Sequence, residues 1–86
     1  MNDTALTTPK QFIARGMVSE EMMQSQLDMA RIVAADIRRD YPNASVVMDE
    51  DNILRIEASA ADAGEIEYEL QERLSSFTPF SIKVRE

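Results

Sequence analysis

Carboxylates are the side chains of this chain whose number and spacing come nearest to a chemical site. Three acids are adjacent at residues 49–51, and Glu65, Glu69 and Glu72 lie on neighbouring turns of a predicted helix. A calcium loop of the EF-hand type needs a glycine at its sixth position and a distal glutamate, both of which the first run lacks. A dinuclear carboxylate site on the second run needs histidine partners, and the chain contains no histidine. Both runs are therefore interpreted as solvated surface.

Nucleophilic and acid–base catalysis lack their usual residues as well. The absence of cysteine and histidine removes thiolate chemistry, cysteine-based metal sites and the commonest general base near neutral pH. Nothing would activate a serine or a threonine, and Lys83 is predicted to lie on a solvated strand face. Gly16 and Gly64 stand alone, so there is no phosphate-binding loop. The sequence predicts a non-catalytic protein that binds no cofactor and no metal.

The charge balance narrows the class of partner. The 86-residue chain carries 9 basic and 16 acidic residues, which gives a net charge of −7. Excess negative charge repels phosphate backbones and argues against nucleic acid as a partner. No apolar run reaches the roughly 20 residues of a membrane-spanning helix, and the N-terminus lacks the basic and apolar regions of a signal peptide. We expect a cytoplasmic protein with a flexible tail at 1–10 and a single domain at 11–86.

A long amphipathic helix is predicted between Ser19 and Asp40. Ser19 is a favourable N-cap, and the two glutamates after it suit the positive end of a helix dipole. Pro42 disfavours helical angles at Tyr41, so the helix is expected to end near Asp40. Apolar residues recur at helical spacing along one side of this segment: Met23, Leu27, Ala30, Ala34, Ile37 and Tyr41, widened by Met22, Met29, Ile32 and Val33.

The segment after this helix is predicted to form a β-hairpin. Residues 45–48 and 53–58 are rich in β-branched and apolar types, and the sequence DEDN between them supplies turn-forming residues. A second helix follows, and two start sites are open for it. Asp62 and Glu65 form a capping box, whereas Ser59 offers an earlier N-cap.

The two ends of the folded region complete the predicted order of elements. Alternating apolar and polar residues at 80–86 predict a final strand. Residues 10–18 leave two alternatives: a first strand in which Gly16 is a bulge or break, or an arm that orders only on a partner. With that strand counted, the order is (β)αββαβ. The predicted fold class is α+β, a small two-layer ferredoxin-like sandwich with an antiparallel sheet and two helices on one face.

Methionines crowd around the start of the long helix, and methionine is common at adaptable binding surfaces. Met23 and Met29 are expected in the core, whereas Met17 and Met22 are assigned either to the core or to a partner contact. Phe12 belongs either to a first strand or to an apolar anchor on an arm. The residues predicted to contact a partner protein, chosen by their expected exposure, are Phe12, Met17, Met22, Tyr41, Asn43, Ile53 and Arg55.

One longer pattern runs through the sequence AADIRRDYPNASVVMDEDNILRIEAS at 34–59. A helix ends at an acid-Tyr-Pro turn, a valine-rich strand and a polar turn follow, and the next strand reads LRIEA. The acidic helix EIEYELQERL and the strand FSIKV come after it. Over residues 27–85 this resembles the small effector, or coupling, proteins of multicomponent bacterial diiron monooxygenases. Tyr41 stands where that family usually has asparagine, and the family's glycine-rich opening strand is degenerate here.

The resemblance implies a regulatory role. Effector proteins of this family carry no cofactor and bind the hydroxylase component near its diiron active site. They alter its geometry, substrate access and the timing of electron and oxygen delivery in phenol, toluene, alkene and methane hydroxylase systems. The alternative for this chain is a ferredoxin-like regulatory or assembly module that homo-oligomerises through its open sheet face or edge strands.

Overall fold

The computed structural model describes residues 6–85, and residues 1–5 of the predicted tail lie outside the described part. The fold is α+β, as predicted, and the described residues form three helices and a three-stranded sheet. None of the helices within residues 6–85 is long and apolar enough to cross a membrane. The elements in chain order are α1 Pro9–Ala14, α2 Glu20–Asp40, β1 Ser45–Met48, β2 Leu54–Ser59, α3 Ala60–Arg73 and β3 Phe80–Arg85.

The sheet is mixed, so the prediction of an antiparallel sheet is wrong. β2 occupies the centre, pairing antiparallel with β1 and parallel with β3. The reversal is caused by α3, which carries the chain back across the sheet so that β3 runs in the same direction as β2. Within residues 6–85 no strand precedes β1, and β3 is the second neighbour of β2. The ferredoxin-like order, which requires the extra strand, is not confirmed.

Residues 10–18 lie in a short helix and the turn after it, and form neither of the two predicted alternatives, a first strand or an arm that orders only on a partner. Thr8 and Gln11 form a reciprocal capping box, and Pro9 occupies the first turn, where its missing N–H costs nothing. Gly16 follows the helix with φ of 72°, in the left-handed conformation that closes many helix ends. α1 therefore begins inside the segment predicted to be a flexible tail.

Both predicted ends of α2 are confirmed. The side chain of Ser19 accepts a hydrogen bond from the Met22 N–H at 3.1 Å, and the Tyr41 N–H closes the last turn by donating to the Ile37 carbonyl at 2.8 Å.

The start of α3 is the earlier of the two predicted sites. Ser59 ends β2 and also caps α3, since its hydroxyl accepts from the Asp62 N–H at 3.2 Å.

The main core lies between α2, α3 and one side of the sheet. Its strand residues alternate along β2, where Leu54, Ile56 and Ala58 are buried and the residues between them are exposed. A second, smaller cluster is formed at the start of α2, where Phe12 of α1 packs edge-to-face on Phe77 with ring centroids 5.1 Å apart. The buried members contributed by the helices to the main core are Ala30, Val33, Ala34, Ile37, Ala63, Ile66 and Leu70.

Candidate partner-binding surfaces

An apolar stripe is exposed along the outer side of α2. Met22, Met29 and Ile32, here called the methionine stripe, are 55%, 47% and 54% exposed. Offsets of seven and ten residues place all three on one side of a helix with 3.6 residues per turn. The prediction that Met29 belongs to the core is therefore wrong, whereas Met23 is buried as expected. The stripe is the apolar portion of the exposed side of α2.

Charged residues border the methionine stripe. Asp36, one helical turn beyond Ile32, receives Arg73 of α3 at 2.9 Å. Arg73 also contacts Glu69, four residues earlier on α3, at 3.1 Å, and hydrogen bonds to both carboxylates raise the pKa of Arg73. This bridge ties α2 to α3, so the helix that displays the stripe is held in place by ionic contacts as well as by the core.

The two candidates nearest the N-terminus differ in exposure. Met17 is exposed just before α2, as a partner contact requires. Phe12 is half-buried in the smaller cluster, so it is anchored against Phe77 and does not sit on a free arm. Only the exposed part of the Phe12 ring is therefore accessible for the predicted partner contact.

Tyr41 and Asn43 lie at the end of α2 near the sheet. The phenol of Tyr41 donates to Glu65 at 3.0 Å, and this hydrogen bond is the main reason that the pKa of Tyr41 is raised. Tyr41 also lines a shallow groove with Tyr68, an exposed aromatic residue of α3 that sequence reasoning did not select. Asn43 is exposed, and its carbonyl accepts a hydrogen bond from Arg85 at 2.6 Å.

Ile53 was predicted to be an exposed contact residue. It is buried, with 3% of its surface exposed, so that prediction is wrong. The residue lies outside β2, in the turn, and the alternation of the strand does not apply to it. Its N–H donates to the Asp49 carboxylate at 3.0 Å and its carbonyl accepts from the Asp49 N–H, which turns the residue inward.

The hairpin tip, residues 49–52, is organised by Asp49. Its carboxylate accepts hydrogen bonds from the N–H groups of Asp51 and Ile53 and from Nε of Arg55, all at 2.9–3.0 Å. The bond from Ile53 is the largest cause of the lowered pKa of Asp49, and Arg55 and Asp51 add to it. Asn52 supplies the left-handed conformation of the turn with φ of 63°. Asp49, the first residue of the acidic run, thus has a structural role.

The open side of the sheet carries more positive than negative side chains. Within residues 6–85, Arg55, Lys83 and Arg85 are exposed there, against Glu57 and the Asp49 carboxylate that reaches Arg55. Arg55 is held by Asp49 at 3.0 Å, and Arg85 approaches Glu57 at 3.6 Å. Arg55 is therefore accessible, as predicted, but its charge is already partnered. This basic side is opposite in sign to the chain as a whole.

The comparisons with known proteins return nothing: no family model, no curated protein and no solved structure matches the chain. Among residues 6–85, no three acidic side chains are grouped so that they could hold a metal ion. Of the seven predicted contact residues, the structure brings Met22 into an apolar surface with Met29 and Ile32, and it leaves the others dispersed. Met29 and Ile32 were detectable, because the apolar residues of α2 cover more of its circumference than one sheet can bury.

Proposed function

We propose that the protein is a non-catalytic regulatory subunit that binds a partner protein through the methionine stripe. The partner is the hydroxylase component of a multicomponent bacterial diiron monooxygenase, and the complex forms in the cytoplasm. The choice of this partner rests on the resemblance of residues 27–85. The choice of surface rests on the exposure of Met22, Met29 and Ile32, which is the observation that carries the proposal.

The stripe has properties that favour recognition of another protein. Methionine side chains are flexible and polarizable, so they adapt to the shape of a partner. About half of each side chain is still exposed, and burying that half contributes about 1 kcal/mol per residue. The ion pair of Asp36 and Arg73 beside the stripe favours a partner of complementary charge and orients the complex.

A regulatory subunit acts by preferring one conformation of its partner. If the protein binds a catalytically competent form of the hydroxylase more tightly than the resting form, the equilibrium shifts by the ratio of the two affinities. A difference of about 1.4 kcal/mol shifts the ratio tenfold. No reactive group of the regulatory chain has to enter the active site for this to occur.

Reconstitution tests the proposal. The purified protein is titrated into a matching hydroxylase and reductase, while NADH oxidation and product formation are followed together. We expect the yield of product per NADH to rise and to saturate near equal concentrations of protein and hydroxylase. An unchanged yield at equal concentrations contradicts the proposed function.

A pair of variants assigns the effect to the stripe. Met29→Gln removes apolar surface from the stripe with little change in helix propensity, and it should weaken the response of the hydroxylase. Val47→Gln removes a similarly exposed apolar side chain from β1, on the opposite side of the sheet, and should leave the response unchanged. Equal effects of the two variants would contradict the assignment of the surface.

A second candidate function is a regulatory or assembly module that homo-oligomerises. The observation that favours it is the position of β3, a six-residue strand at an edge of the sheet. Multi-angle light scattering separates the two candidates, since a stable homodimer supports the assembly module and a monomer supports the regulatory subunit.

A further inference from the structure

The two edge strands of the sheet differ in how their outward backbone groups are hydrogen-bonded. At the β1 edge, the side chain of Arg38 from α2 reaches the carbonyl oxygen of Val46 and donates to it at 3.0 Å. β1 is also short, with four residues. At the outer edge of β3, no strand within residues 6–85 pairs with the backbone and no side chain donates to it. Among residues 6–85, the β3 edge is thus the less protected of the two.

The backbone of β3 points in a defined direction. The Leu54 N–H donates to the carbonyl of Pro79 at 3.2 Å, which fixes the register of the parallel ladder. In such a ladder, alternate residues direct their N–H and C=O to the same neighbour. Residues 81, 83 and 85 therefore face β2, and residues 80, 82 and 84 direct their donors and acceptors outward. These outward groups form a template for a further strand.

The side chains beside this edge differ on the two sides of the sheet. On the helix side, Val84 is 47% exposed in a shallow groove between β3 and α3, whose wall includes Ala60, Ala63 and Gly64. A side chain added at Gly64 would meet no atom within 4 Å, so the groove is open. On the other side lie Lys83 and Arg85. The β3 edge is therefore apolar on the helix side of the sheet and basic on the opposite side.

We propose that β3 accepts an extended segment of the partner protein as a fourth strand, and that this segment alternates small apolar with acidic residues. Apolar side chains of the segment fill the groove beside Val84. Its carboxylates face Lys83 and Arg85, where opposite charges across neighbouring strands are favourable. The proposal deepens the proposed function, on which it rests, by naming a second contact with the same partner.

A second copy of the chain fits this edge less well. An antiparallel pair of β3 strands would place Lys83 and Arg85 of both copies on one side of the joined sheet. The like charges of Lys83 and Arg85 oppose that pairing across the two joined strands. Charge complementarity thus favours an acidic segment from another protein.

The test uses a synthetic peptide with blocked ends that alternates valine and glutamate over about eight residues. Binding is followed by the amide NMR signals of the whole protein and by their hydrogen exchange. We expect shifted signals and slowed exchange at Ile82 and Val84, whose N–H groups point outward. A peptide that alternates valine and lysine should bind roughly tenfold more weakly, because two favourable charge pairs become unfavourable.

Variants of the protein make the test specific. Lys83→Glu should abolish the preference between the two peptides, because Arg85 then opposes the new glutamate, whereas Lys10→Glu, the same change of charge on α1, should leave it unchanged. Val84→Pro should abolish binding, since it removes an outward N–H while the N–H groups of Lys83 and Arg85 still face β2. Retained signals for β2 in this variant show that the sheet is intact.

Three results would overturn the proposal. They are unchanged signals at Ile82 and Val84, equal binding of the two peptides, or a homodimer in which these amides are already protected. The outcome is separable from that of the proposed function. Met29→Gln should not change peptide binding. If the hydroxylase responds to the protein but the peptide leaves the signal of Ile82 unchanged, only the edge site is contradicted. If the peptide binds but the protein has no effect on the hydroxylase, only the regulatory function is contradicted.

Discussion

The hairpin tip is a run of acidic residues and the methionine stripe is a group of exposed apolar residues. Contacts within the fold explain the first and not the second. At the tip, the carboxylate of Asp49 is satisfied by three donors of its own hairpin, and Asn52 supplies the conformation of the turn. In the stripe, Met22, Met29 and Ile32 are about half exposed and belong to neither core cluster. A cluster of charge is thus explained internally, whereas a cluster of apolar surface is left for a partner. Substitutions in the two regions should therefore affect different measurements.

The largest expected effect is on partner binding by the stripe. The double substitution Met29→Gln and Ile32→Gln removes two contacts of about 1 kcal/mol each, so the hydroxylase should bind roughly thirtyfold more weakly. Both side chains are exposed, so the free energy of unfolding should change by less than about 0.5 kcal/mol. Titration of the hydroxylase and urea denaturation measure the two quantities. A large loss of stability with unchanged hydroxylase binding would show that the stripe stabilises the fold and does not contact the partner.

At the tip, the expected effect is on stability. Asp49→Ala removes the acceptor of two backbone N–H groups and of Arg55, and should lower the free energy of unfolding by about 2 kcal/mol. Asp49→Asn keeps one acceptor oxygen and should lose about half as much. Urea denaturation of the three proteins checks the order. Both variants should affect the hydroxylase as the parent protein does, and a lost response would place the tip in the interface.

The pH dependence of stability distinguishes the charge of Asp49 from its hydrogen bonds. The pKa of Asp49 is lowered in the folded protein, below the roughly 3.9 of an unfolded aspartate. The stabilisation by its ionised form is therefore complete above that unfolded value and is lost as the pH falls through the folded value. The stability difference between the parent protein and Asp49→Asn should shrink on acidification below about pH 4. A difference that stays constant from pH 7 to pH 3 would show that the charge contributes nothing.

The smallest expected effect comes from the turn residue. Asn52 adopts a positive φ of 63°, which glycine tolerates and which costs alanine about 1 kcal/mol. Asn52→Ala should lower stability by that amount, and Asn52→Gly should be nearly neutral. Thermal unfolding compares the two. Equal losses would indicate that the side chain of Asn52, and not its backbone conformation, stabilises the hairpin.

Local signals made much of this fold predictable. Ser19 and Pro42 define both ends of α2, and the turn residues between two β-branched segments define the hairpin. The same kind of signal was present for α1, in the capping box from Thr8 to Gln11 and in Gly16 after the last turn. It was outweighed by the alternation of Phe12 and its neighbours, which is too short to distinguish a strand from a helix.

The remaining differences depend on the tertiary structure. The alternation in β3 predicts a strand, but it does not say which strand lies beside it or in which direction. Ile53 and Met29 differ from the prediction because strand alternation does not continue into the turn and because the apolar residues of α2 do not all face the sheet. How much of a helix is covered depends on what packs against it, and the sequence of α2 alone does not contain that information.

The most direct measurement is the yield of product per NADH in a reconstituted monooxygenase, recorded for the parent protein, for Asp49→Ala and for the double stripe variant. The account predicts that the parent protein and Asp49→Ala raise the yield at the same concentration, and that the stripe variant requires roughly thirtyfold more protein. A yield that none of the three proteins changes, or one that the stripe variant raises as readily as the parent, would contradict it.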